Sequence, residues 1–388
     1  MKKSVLLIAF AAVAMLFASC QSSSTPETDS TKLYPAMDAS GNYWGYINNK
    51  GVVVITPMFD NAEGFSCGYA RVLMGDDVMF IDKNGKFQAA SSFDQVSPFY
   101  YGYSTFVLDG KYGLMGKDFS MSIQPYFDGL SIMGDNGLVV AQRTNDSKLE
   151  YVNAKGETKI AAMYNQADDF KDGLAIIRLN DKYGAIDKSG SYLLQPVYRD
   201  GLWNMGKGLV GYYNDKGSCG IMDKGANIIV AAMYDGLGVV SDDMIRFLKD
   251  GKYGYLDAKG NMVLPAMFTT ATAFSEGYAW VKQSETGRYM NIDKKGQVLA
   301  YLGDDEAPVN GFHNGLALVM TNDGYKYVDY AGAVIYSWSM TPANSGTDEE
   351  PDYDVVNVSK MDIDQHNALF ELDRAYIHQT LYFNAQKL

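Results

Sequence analysis

Short apolar runs alternate with polar clusters along most of this chain, and the alternation keeps a fixed beat. Residues 174–198 show one full cycle. Leu174-Ala175-Ile176-Ile177-Arg178 is apolar and β-branched, which predicts a strand. Leu179-Asn180-Asp181-Lys182 then turns the chain, and sister copies place Asp109-Gly110 and Asp250-Gly251 there, a strong hairpin signal. Tyr183 to Asp187 is the next strand. Asp187-Lys188-Ser189-Gly190 is a second turn, matched by Asp82-Lys83-Asn84-Gly85 and Asp293-Lys294-Lys295-Gly296. An aspartate opening a type I turn accepts from backbone N–H groups two or three residues on, and the closing glycine supplies a positive φ. Tyr192-Leu193-Leu194-Gln195 is a third strand, ended by Pro196, which has no N–H to give a sheet. Each unit is thus predicted to be three antiparallel strands followed by a loop of about ten residues.

The cycle recurs nine times. An aromatic-Gly-apolar-apolar-Asp pattern begins as Trp44-Gly45-Tyr46-Ile47-Asn48 and returns at Tyr112-Gly113, Tyr183-Gly184, Cys219-Gly220 and Tyr253-Gly254. Degenerate copies without the glycine stand at Met79, Glu150, Met290 and Lys326, at intervals of 34 to 37 residues. Two more markers keep phase. One is an apolar-aromatic-acidic step such as Met58-Phe59-Asp60, Tyr126-Phe127-Asp128 and Met233-Tyr234-Asp235. The other is Gly-Tyr/Leu-Ala, as in Gly68-Tyr69-Ala70, Gly173-Leu174-Ala175 and Gly277-Tyr278-Ala279.

With its phased markers, residues 33–337 resemble the WG-repeat family, named for the Trp-Gly pair that stands here as Trp44-Gly45. The resemblance implies a repeat architecture and little about activity. The fold class expected is all-β: about nine repeats stacked into a curved solenoid or propeller-like body, since one meander cannot bury its own apolar face. Three strands per unit and nine units favour the open, curved array, because propeller blades have four strands and usually number four to eight. Gly45 leaves a notch on its strand, and Phe59, Phe65 and their equivalents are the rings expected to fill it.

Outside the array the composition changes. Lys2 and Lys3 precede a thirteen-residue apolar run, Val5 to Phe17, which is too short to span a bilayer. Leu16-Phe17-Ala18-Ser19-Cys20 follows and resembles a bacterial lipobox. The reading is a signal peptide over 1–19 and lipid attachment at Cys20, with residues 20–32 as a Ser/Thr/Pro-rich tether. Residues 339–388 form a polar linker and a C-terminal segment. There Leu369, Leu372, Tyr376 and Ile377 predict an amphipathic helix that caps the open end of the array. His366 and His378 fall on the same helix.

Loss of Lys2 and Lys3 takes the net charge from −13 to −15. That balance argues against nucleic acid and against electrostatic docking on anionic lipid. Cys67 and Cys219 lie in different repeats, and their pairing is left open. No cofactor or metal is expected. The turn aspartates Asp82, Asp187, Asp223, Asp257 and Asp293 recur in unit after unit, so they read as structural, whereas a catalytic acid occurs once. Asp304-Asp305-Glu306 and Asp348-Glu349-Glu350 read as solvated loops without EF-hand spacing. Aromatics off the pattern, Tyr100, Tyr101, Trp203 and Trp280, are the candidate ligand contacts, with core filling as the competing role. The function expected is that of a non-catalytic lipoprotein of the cell envelope, on the outer membrane. Its periplasmic or surface face would bind a protein or glycan partner. The alternatives are a hydrolase using a carboxylate pair in a cleft and a purely structural envelope component.

Overall fold

The computed structural model describes residues 32–90, 93–143 and 147–340. The expected signal peptide, Cys20, most of the tether and the expected C-terminal helix lie outside the described residues. Among the described residues every regular element is a strand. They form nine small antiparallel sheets arranged in a ring, a nine-bladed β-propeller. The strands of each blade are neighbours in chain order, as in blade 5: Gln166–Ala167, Ala175–Leu179, Lys182–Ile186 and Tyr192–Tyr198.

The expected three strands are present in every blade, but eight blades have a fourth. It lies at the head of the stretch read as a loop. In blade 5 only two residues pair, Gln166 with Arg178 and Ala167 with Ile177, too few to leave an alternating pattern. In blades 6 and 7 the first strand lengthens to Leu202–Gly206 and Gly236–Ser241. Blade 1 has three described strands, Leu33–Met37, Trp44–Asn48 and Val53–Phe59.

The ring is closed, not the open array that strand count favoured. Two contacts made between successive blades recur between the last blade and the first. A Cβ at Gly85 of blade 2 would lie 3.1 Å from Ile55 Cγ2 of blade 1, and Gly190 meets Ile160 of blade 4 in the same way at 3.2 Å. Gly51 of blade 1 meets Ile335 of blade 9, its virtual Cβ 2.3 Å from the Ile335 carbonyl oxygen. Tyrosine hydroxyls repeat the message. Tyr46, Tyr151 and Tyr255 each donate to a carbonyl of the next blade, those of Glu63, Asp168 and Thr272, at 2.7–2.8 Å. Tyr327 of blade 9 donates to Pro35 of blade 1 at 2.9 Å. Tyr34, Ala36, Trp44, Tyr327 and Trp338 share one apolar cluster across the seam. A closed ring has no open end, so the argument for a C-terminal cap falls away.

Blades covered on both sides explain the apolar runs. Tyr255 and Leu256 are adjacent on the third strand of blade 7, point to opposite faces, and are both fully buried. Fourth strands differ: the blade 7 strand Met262–Phe268 buries only Leu264 and Phe268. The marker aromatics Phe59, Phe127, Tyr164 and Phe268 are among the buried residues, each contributing about 1.5–3 kcal/mol of apolar burial.

The glycine of the aromatic-Gly pair has a different purpose from the one expected. Phe65 packs on Tyr46, with ring centroids 4.9 Å apart, and Phe59 lies opposite Trp44. What fills the notch is backbone. A Cβ at Gly45 would lie 2.4 Å from the Ile55 carbonyl oxygen and 2.6 Å from Pro57 N, and one at Gly184 would lie 2.7 Å from the Leu194 oxygen. The last strand of the same blade bulges across the glycine: Trp44 pairs with Phe59 and Tyr46 with Ile55, so two steps on one strand span four on the other. In blades 3 and 7 the rings of Phe106 and Phe247, from the second strand, also press on the glycine.

Candidate functional site

The recurrent acids were the natural place to look for chemistry, and the fold separates them. Those opening the turn between third and fourth strands stay within their own turn. Asp187 Oδ1 accepts from the N–H groups of Ser189 and Ser191, and Asp257 Oδ1 from Lys259 and Asn261, at 2.8–3.1 Å. Asp82, Asp223, Asp293 and Asp329 repeat this two- and four-residue pattern. Hydrogen bonds to the charged form, from Ser189 to Asp187 and from Asn261 to Asp257, hold both carboxyls below the usual range.

The acid of the aromatic-acidic step has a second task, which the sequence did not reveal. Asp60 accepts from Gly75 N at 2.6 Å and Asp235 from Asp250 N at 2.7 Å, while Asn165 receives Asn180 N at 3.2 Å. It therefore ties the last strand of blades 1, 4 and 6 to the next blade's hairpin.

The Gly-Tyr/Leu-Ala marker resolves into a two-residue turn before the second strand, with both central residues left-handed. Examples are Tyr101 (φ 48°) with Gly102, Asp172 (54°) with Gly173, Lys207 (54°) with Gly208 and Glu276 (54°) with Gly277. These are the dihedral signs of a type I′ hairpin turn. The turns are linked from blade to blade by carboxylates. Asp135 accepts from Asp172 N, and Asp172 from Lys207 N at 2.8 Å. Asp242 accepts from Gly277 N, and Glu276 from Asn314 N and Gly315 N at 2.6 and 2.8 Å. Lys207 pairs with Asp243, and Lys294 with Asp242 at 3.0 Å. The sequence signal was an acid directly before, or two before, the marker glycine in only some copies, and a single unit gives it no meaning.

Tyr101 stands beside this relay. It is 41% exposed and left-handed, a costly conformation for a bulky side chain. Burial, and then the nearby Asp135 and Asp172, push its phenol up. Tyr100 is half-buried behind it, bridged to Tyr103. Trp203 is also half-buried, its ring lying on Gly211 and 5.0 Å from Tyr213. Trp280 leaves the candidate set: it is fully buried and stacked on Phe312 at 5.4 Å, so it fills core. The four are not brought together, for Tyr100 and Tyr101 belong to blade 3, Trp203 to blade 6 and Trp280 to blade 8.

Two titratable groups are shifted strongly. Burial pushes Asp169 up to about 7 even though Ser131 Oγ donates to it. Burial pulls His313 down to about 4 against the opposing pull of Glu276. Cys67 and Cys219 are buried in blades 2 and 6 and are not bonded to one another. Asp304, Asp305 and Glu306, read as a solvated loop, reach Arg288, Asn322 and Lys326.

These features define a nine-bladed propeller built from one repeat. The family model described as the WG containing repeat matches at residues 44–76, 79–112, 151–183, 220–253 and 253–286, five of the repeats in the ring. Each matched unit starts in the next-to-last strand of one blade and runs into the next blade, so the sequence unit straddles two blades. No curated protein matches the chain. Among solved structures, a crystal structure of the eukaryotic initiation factor is similar. It has a TM-score of 0.58 at 11% identity, covering 80% of this chain and 96% of that one. Dihydro-heme d1 dehydrogenase NirN in complex with DHE gives 0.44 at 13% identity, covering 82% and 75%. BamB from Moraxella catarrhalis gives 0.35 at 14%, covering 63% and 85%. At these identities the likeness concerns the fold alone.

Proposed function

We propose that this protein is an envelope lipoprotein, held to the outer membrane by lipid on Cys20. Its propeller acts without catalysis as a binding or scaffolding surface for a protein or glycan partner. The observation that carries the reading is the disposition of the recurrent acids. They sit at separate bends, each engaged with backbone N–H groups, and not around a shared cavity. A ring of rigid blades with short turns at its faces suits a docking platform, and Tyr101 is the exposed anchor on the face bearing the relay.

A photoreactive residue in place of Tyr101 in living cells, followed by mass spectrometry, tests the platform. One recurrent cross-linked partner is the expected result. Turnover of an envelope polysaccharide or peptide by the purified protein would overturn the non-catalytic reading. For the anchor, Cys20→Ala should move the protein from the membrane fraction to the soluble one, and unchanged fractionation would overturn it.

A further inference from the structure

The outer strands of the blades carry an apolar belt. Among the described residues, nearly all the large apolar side chains left exposed lie on or beside these strands. The strands hold a single charged residue, Lys159. Edge strands are ordinarily blunted by charge, and an exposed apolar surface of this extent marks a contact. The belt is continuous where the ring closes. A Cβ at Gly332 of blade 9 would lie 3.0 Å from Ala300 Cβ of blade 8, and Gly51 of blade 1 lodges on Ile335 of blade 9. The outer strands of blades 8, 9 and 1 therefore stand side by side: Val298–Tyr301, Val334–Ser339 and Val53–Phe59. There Val298, Leu299, Tyr301, Val334, Val53 and Val54 are each 42–56% exposed, and the three strands carry no charged residue.

This stretch spans the one junction that the chain itself does not bridge. Blades 9 and 1 also share no strand among the described residues. The inner edge of blade 1 does not invite one. Pro35 has no N–H to offer, and the Pro35 and Met37 carbonyls already accept the hydroxyls of Tyr327 and Tyr336 at 2.9 Å. The matching carbonyls of blade 5, those of Ile176 and Arg178, accept the backbone N–H groups of Asp168 and Asn165. The chain also leaves the ring here, for Ser339 ends the outer strand of blade 9 and residues 341–388 follow. Among them Leu369, Leu372, Tyr376 and Ile377 have the spacing of an apolar helical stripe, and a closed ring leaves that stripe no open end to cap.

We infer that residues 365–380 dock on the outer strands of blades 8, 9 and 1 and clasp the ring from outside. The uncharged patch suits the apolar stripe. The chain between Ser339 and Leu369 can span up to roughly 100 Å, so all three blades are within its reach. A second copy or a bilayer would have to be brought to the patch, whereas the stripe is tethered beside it, and that tether makes even a modest apolar contact favourable. The clasp holds the junction that neither chain continuity nor a shared strand secures. It goes beyond the binding reading and depends neither on that reading nor on the lipid anchor.

Photo-crosslinking of the purified full chain tests the clasp. A photoreactive residue in place of Leu299 or, separately, of Val53 should join to residues 365–380 within one chain. One in place of Met163, on the blade 4 outer strand Thr158–Tyr164, should not. Leu369→Ser, Leu372→Ser, Tyr376→Ser and Ile377→Ser made together should cut the product roughly tenfold and lower Tm, and adding Leu299→Ser should lower Tm no further, because both changes remove one contact. Thermal melts establish that each photoreactive variant is folded. Absence of the product with residues 365–380, equal yield from Met163, or Tm losses that add in the combined variant would each overturn the clasp. Products between two chains would overturn it in favour of a second copy. Lipid adducts formed only on vesicles of phosphatidylethanolamine and phosphatidylglycerol would overturn it in favour of a bilayer. None of these outcomes touches the platform, which the Tyr101 cross-linking decides.

Discussion

Blades 7 and 8 are neighbours made by adjacent repeats, yet their fourth strands travel differently. In blade 7, Tyr253 pairs with Phe268 and Tyr255 with Leu264, and the strand arches over Gly254. In blade 8, Met290 takes the glycine's place and the pairing runs one-to-one until a single bulge. Blades 1, 3, 5 and 6 follow the first pattern, and blades 2 and 9 the second. The column glycine thus marks where one strand crosses another's backbone, and it is dispensable where the crossing is absent. Blade 4 is the informative exception. It arches with Glu150 in the glycine column, buried and paired through Oε1 with Arg143 Nε at 2.5 Å, the guanidinium lying 5.1 Å from the Phe127 ring of blade 3.

The largest effect should come from filling the column where the strand crosses. Gly254→Val places carbon against Phe247 Cζ and the Leu264 oxygen, 2.4 and 2.7 Å from the position of Cβ. It should cost about 3 kcal/mol by chemical denaturation, whereas Met290→Val in blade 8 should cost less than about 1.5 kcal/mol. Equal losses would dismiss the crossing account. Next, Glu150→Ala strands Arg143 and empties the exceptional column. A loss of about 2 kcal/mol is expected, below the range for fully buried pairs because Arg143 is 35% exposed.

A smaller effect depends on pH. The folded pKa of Asp169, about 7, lies above the unfolded value near 3.9. Between these values the folded state holds a proton that the unfolded state has lost, so stability falls as pH rises from about 4 to about 7 and levels off above. Asp169→Asn should therefore stabilise the protein by on the order of 1–2 kcal/mol at pH 8, with the gain vanishing near pH 4. A pH-independent gain would place the cause elsewhere. His313 works in the opposite direction: its folded value, about 4, lies below the unfolded one near 6.5, so its contribution rises with pH across that window. The smallest effect should ignore the two kinds of blade altogether. Asn48→Ala in blade 1 and Asp329→Ala in blade 9 remove the same turn acceptor and should each cost about 1 kcal/mol in thermal melts.

The sequence reading went furthest where the cause is local. Asp187 and Gly190 close a turn within four residues, and that chemistry is written in four letters. The short first strands were missed because Gln166–Ala167 is held by partners ten and more residues away. The candidate aromatics divided for the same reason. Nothing adjacent to Trp280 announces that Phe312 will stack on it from the next blade, and nothing near Asp172 announces that it caps the following turn.

By itself the sequence determined the repeat, the turns and the strand order, because each follows from residues within one unit. Closure was decided only in three dimensions. The rotation from blade to blade is a small angle set by packing, such as Gly85 on Ile55, and its sum over nine units brings Gly51 onto Ile335. No single unit encodes that sum, so an open array and a ring read alike until the last blade meets the first.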